Sequence, residues 1–114
     1  MSDRGSVIFC KDGEQDSVVI SSYEGGDGFV NIAIDYAIEL KKEVDELRKD
    51  HPNSSGPLER LEPEIIAVDF IHYLVKIGWV NLRDSSIYLY RSELDVPSAH
   101  LIYKIDLEKP KRLF

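Results

Sequence analysis

Val30, Ala33, Ala37, Leu40, Val44 and Leu47 return at alternating spacings of three and four residues, and few regular structures accept that rhythm. At 3.6 residues per turn the positions fall on one stripe of an α-helix, whereas on a strand they would scatter over both faces. The stripe predicts a helix running to about Asp50. On its outer face Lys41 with Asp45, Lys42 with Glu46 and Asp45 with Lys49 sit four residues apart, the spacing of solvated helix ion pairs.

The segments on either side read as strands and a second helix. SVIFC (6–10) and SVVISS (17–22) are rich in β-branched residues and flank KDGEQD, the pattern of a hairpin. A two-residue Asp12-Gly13 turn would place Phe9 opposite Asp16. A four-residue loop from Asp12 to Gln15 instead pairs Lys11 with Asp16, Phe9 with Val18 and Val7 with Ile20, and is preferred because it sets apolar against apolar and opposite charges together. Pro52 ends the long helix, and DHPNSSGP (50–57) is a loop. Pro63 opens a second helix, Pro63 to Ile77, with Glu62 and Glu64 near its positive end and Gly78 as its left-handed terminator. WVNL (79–82) and IYLY (87–90) flank RDSS as a second hairpin, and HLIYKI (100–105) is a last strand. Pairing Leu82 with Ile87 and Val80 with Leu89 gathers aliphatics on one side and leaves Trp79, Asn81, Tyr88 and Tyr90 on the other; Leu101, Tyr103 and Ile105 form the apolar side of the last strand. The expected fold class is α+β: one domain over 1–114, a two-layer ββααβββ order with a five-stranded, mainly antiparallel sheet and both helices on one face.

A chain of 114 residues can bury a core unaided, and 43% hydrophobic with 31% charged residues lies outside the regime of disordered chains. The formal charge of −7 opposes a phosphate backbone or an anionic membrane, so neither nucleic acid nor membrane is an expected partner. Cys10 is a lone cysteine, the first residues lack a basic and apolar leader, and no apolar run reaches the length of a membrane span. These features together point to an acidic cytoplasmic protein.

Two surfaces stand out as candidates for function. Two helices cover one face of a sheet; the reverse face would then display Ile8, Cys10, Val19, Trp79, Tyr88, Tyr90 and Ile102, a set that a monomer seldom leaves in water. The leading expectation is a non-catalytic binding or self-association module, a homodimer or the receiver of a protein partner, with Ile8, Val19, Trp79, Tyr88, Tyr90 and Ile102 as its interface. The alternative is a small enzyme or small-molecule-binding protein working at the strand-helix corner of Tyr23, Glu24, Gly25, Gly26 and Asp27. That corner lacks the G-K-[ST] ending and the G-x-G-x-x-G spacing of phosphate loops, and Glu24 and Asp27 would repel an anion, so the glycines read first as a sharp turn with Asp27 as helix cap. His51, His72 and His100 lack metal-ligand spacing. Asp69 lies one turn before His72, but Lys76 continues that polar stripe; Cys10 has no neighbouring base in sequence. Tyr88, Tyr90 and Tyr103 lack the clustered lysines and arginines of sheet-based RNA binders. No catalytic residue, metal ligand or cofactor is therefore assigned.

SDRGSVIFCKDGEQDSVVISSYEGGDG, the first quarter of the chain, resembles the start of a group of small uncharacterised archaeal and phage proteins that open with D-R-[GA]-N, form a hairpin, and show Y-x-H-W-G-G before a helix. Asp3, Arg4 and Gly5 match the first motif, with Ser6 in place of its Asn. Gly25 and Gly26 match the paired glycines, while Tyr23 and Glu24 stand where His and Trp are usual. The resemblance implies a hairpin followed by a helix. It lends no activity, and any role of the missing His does not transfer.

Overall fold

A computed structural model describes residues 4–11, 17–23, 25–53, 56–80, 86–97 and 102–111. Strands β1 (Gly5–Cys10) and β2 (Val19–Ser22) form the expected hairpin, with Val7 opposite Ile20, the register in which apolar residues meet. Its loop and Asp16 lie outside the described residues; Lys11 donates to the Arg60 carbonyl. Helix α1 (Gly26–Asp50) follows, and Val30, Ala33, Ala37, Leu40 and Val44 are all buried on its inner stripe. On its outer side Lys41 pairs with Asp45 as the spacing predicts, while Lys42 pairs with Glu39. Helix α2 (Pro63–Lys76) has Pro63 in its first turn and ends at Ile77 and Gly78, whose φ of 79° allows the chain to turn away.

Strand β3 (Ile87–Tyr90) pairs antiparallel with β2, and β4 (Ile102–Asp106) pairs in parallel with β1. Among the described residues the sheet is therefore mixed and four-stranded, in the order β3-β2-β1-β4, rather than five-stranded and mainly antiparallel. The ββααβββ order is corrected with it: Trp79 and Val80 lie in the turn after α2 and not on a strand, and Asn81 and Leu82 lie outside the described residues.

Both helices pack on one face, where Val7, Phe9, Ile20 and Ile105 join Phe29, Tyr36, Phe70 and Leu74 in the main core. Phe70 is its hub, with ring centroids 5.4 Å from Phe9, 5.9 Å from Phe29 and 5.0 Å from Tyr36. The helices are braced by the Tyr36 hydroxyl, which donates to Asp69 Oδ2 at 2.6 Å. Burial, and next the Asp69 carboxylate, keep that hydroxyl protonated far beyond the usual tyrosine range. At the far end of α1, Arg48 donates from Nε and Nη2 to the Glu59 carbonyl and pairs with Glu108 at 2.9 Å, tying three segments together.

The arrangement of β3 and β4 decides what happens on the reverse face. Both run parallel to β1 and occupy opposite edges, so the chain between them must cross the sheet. With α1 and α2 on one face, the described part of that connection, 91–97, reaches the other. A single 3₁₀ turn, Glu93–Asp95, leads into Val96, which packs on Ile8 and Val19 with Tyr90 and Ile102 around it. Glu93 pairs with Lys104 of β4 at 3.1 Å. Further along this face, the Ser6 and Ser21 hydroxyls bond to each other at 2.6 Å, both buried, so neither polar group is left without a partner.

Candidate functional site

The crossover divides the six residues of the expected interface. Ile8 and Val19 are 3% and 0% exposed and cluster with Val96, Tyr90 and Ile102, so they form a small internal core instead of an open surface. Trp79 is on the other side altogether: its ring packs against Phe29, with centroids 6.3 Å apart, in the helix-side core. Ile102 and Tyr90 are half-buried at the margin of the Val96 cluster. Tyr88 remains 51% exposed.

The glycine corner is shaped by Trp79. Gly25 has a φ of 76°, and a Cβ on it would stand 2.6 Å from the indole, so the position accepts a left-handed backbone and a close ring that other residues would not. Gly25 stands at the N-cap position, immediately before α1. Asp27, expected as the cap, sits inside the first turn, and the helix has no side-chain cap bond. Asp27 still places a negative charge near the positive end of the helix. Glu24 lies outside the described residues.

Tyr23 links the two candidate surfaces that the sequence kept apart. Its backbone N–H donates to the Ser86 carbonyl at 3.1 Å, carrying the β2-β3 pairing one step further. Ser21 pairs with Tyr88, and by strand alternation Tyr23, two residues on, points to the same reverse face. There its ring meets Tyr88 edge to face, centroids 4.5 Å apart, and its hydroxyl bonds with that of Tyr90 at 2.5 Å. The Arg4 guanidinium lies 4.5 Å over the Tyr23 ring. The bond to Tyr23 holds the Tyr90 hydroxyl above the usual tyrosine range. Arg4 just before β1, Tyr23 just after β2, and Tyr88 and Tyr90 of β3 thus converge on one tyrosine patch beside the glycine corner.

Sequence reading named Tyr23, Tyr88 and Tyr90 but divided them between two hypotheses, and it gave Arg4 no functional role. Placing them together requires the pairing of β2 with β3 across both helices, for which the sequence has no local signal. Asp69 is engaged by Tyr36, and His72 is exposed on α2. The thiol of Cys10, half-buried, donates to the Ile105 carbonyl at 3.5 Å. An open groove of about 400 Å³ between the helices is lined by Asp35, Glu39, Glu43 and Asp69 together with Tyr36 and Lys76. Among the described residues no three His, Cys, Asp or Glu side chains are placed to hold a metal ion, and no helix is long and apolar enough to cross a membrane. Set against family models, curated proteins and solved structures, the chain matches none of them.

Proposed function

We propose that this chain is a non-catalytic protein-binding module whose contact surface is the tyrosine patch of Tyr23, Tyr88 and Tyr90 with Arg4. The observation that supports this reading is the half-exposed ring of Tyr88, held edge-on by Tyr23, on a face whose aliphatic part is already closed by Val96. Tyrosine and arginine are the residue types that carry binding energy at protein interfaces, because each offers a large, stiff apolar area and a polar tip. Here the rings are preorganised by contact with one another, which lowers the entropy lost when a partner docks. Binding rather than catalysis is favoured because the patch holds hydroxyls and a guanidinium but neither a carboxylate nor an imidazole among its described residues to act as base.

The test is a selection of peptides from a random display library on the immobilised protein, followed by affinity measurement on the parent and on Tyr88→Ala. Peptides that bind the parent should lose about tenfold or more in affinity on the variant. Binders that ignore both Tyr88→Ala and Arg4→Ala would remove the patch as the contact surface. Trp79 is unsuited to this test, since its packing on Phe29 makes its loss a folding defect.

A further inference from the structure

The two helices present opposite kinds of surface to solvent. The outer side of α1 carries Lys42, Asp45, Glu46 and Lys49, an ordinary charged face. Along the outer side of α2 run Ile65, Val68, His72 and Val75, spaced three, four and three residues apart, with the aliphatics 46%, 55% and 38% exposed. Such spacing is that of the a and d positions of a helix-helix seam, where apolar side chains repeat once per half-heptad and interlock with a second helix. No described part of the chain covers them.

We infer that the outer side of α2 is the contact between two copies of this chain, packed antiparallel about a two-fold axis at His72. The charges beside the seam select this arrangement. With the axis at His72, Val68 of one copy lies within one residue of the level of Val75 of the other, and Asp69 within one residue of the level of Lys76, each pairing made twice by the symmetry. Ile65 reaches the level of the turn at Gly78 of the second copy. A parallel pairing would instead draw Glu64 of one helix towards Asp69 of the other, two like charges at the positions that set helix orientation. Asp69 is well suited to be a fixed member of the pair, because the Tyr36 hydroxyl holds its Oδ2 in place. A partner of unrelated sequence would have to reproduce both the apolar spacing and the order of charges, which a second copy supplies by symmetry.

This inference uses no residue of the tyrosine patch, so the two readings fail separately. Light scattering coupled to size exclusion, with loading from about 1 μM to 1 mM, should give a mass approaching twice the 13.0 kDa of one chain. Val68→Asp should return the mass to that of one chain with an unchanged far-UV circular dichroism spectrum, since the side chain is exposed in the fold. Lys76→Glu, which sets two acids face to face, should weaken the dimer by about tenfold. His72→Leu should tighten it by filling the centre of the seam with an aliphatic. A single-chain mass throughout the concentration range would overturn the inference, as would a dimer indifferent to Val68→Asp or one that dissociates with Tyr88→Asp alone.

Discussion

Where Val7, Phe9, Ile20 and Ile105 meet α1 and α2, the sheet is sealed by aromatic rings that touch in a continuous cluster; across the same strands, among the described residues, Ile8 and Val19 pack with Val96, Tyr90 and Ile102. Every residue on β1 is thus protected, but by layers of very different thickness. Two helices bring many interlocking side chains, so each carries part of the seal. The described part of the crossover brings Val96 to the centre of the reverse face, and half-exposed rings stand at the end where Tyr23, Tyr88 and Tyr90 gather.

The largest expected effect comes from the thick side. Phe70→Ala removes a ring that contacts Phe9, Phe29 and Tyr36, and should cost about 3–5 kcal/mol in urea denaturation. A smaller loss, equal to that at Val96, would erase the distinction between the two faces. Val96→Ala removes two methyl groups from a site that the crossover can partly collapse around, so about 1–2 kcal/mol is expected, again by urea denaturation. Should it cost as much as Phe70→Ala, the crossover would be a structural layer in its own right.

The smallest effect lies at the rim of the helix side, in the bond between Arg48 and Glu108. The Arg48 guanidinium beside it lowers the Glu108 carboxyl from its ordinary value. A carboxyl lowered on folding adds stability above its unfolded pKa of about 4.3 and loses that contribution as pH falls through its folded value. The pair is about a third exposed, so solvent screening keeps its worth at or below about 1 kcal/mol. Glu108→Gln should therefore lower the thermal midpoint slightly at pH 7, with the difference from the parent closing on acidification below about pH 4. A gap that persisted undiminished at pH 2 would assign the effect to packing or to the Glu59 carbonyl.

Much of this contrast was legible in the chain itself. The rhythm from Val30 to Leu47, the proline and glycine that bound α2, and the match of Val7 with Ile20 are local signals, each decided by residues within a few turns of one another. What escaped was non-local. RDSS reads as a hairpin turn between WVNL and IYLY, whereas the described partner of IYLY is β2, reached over both helices. Arg91 to Leu101 is also too long for a hairpin loop, and that length was the available clue that the chain crosses the sheet. Trp79 went astray for a related reason: strand alternation put it outside, but a large ring next to a helix end goes where space exists, and Gly25 and Gly28 provide it.

The parallel union of β1 with β4 also sets a timetable. Ser6 finds Ile102, and Cys10 finds Asp106, so β1 leaves the ribosome long before the strand that covers its flank. Until that late arrival docks, one flank of the hairpin stands bare, its amides and carbonyls open to any stray strand. A nascent chain halted before residue 102 would accordingly be the sticky form of this protein, and the finished one its remedy.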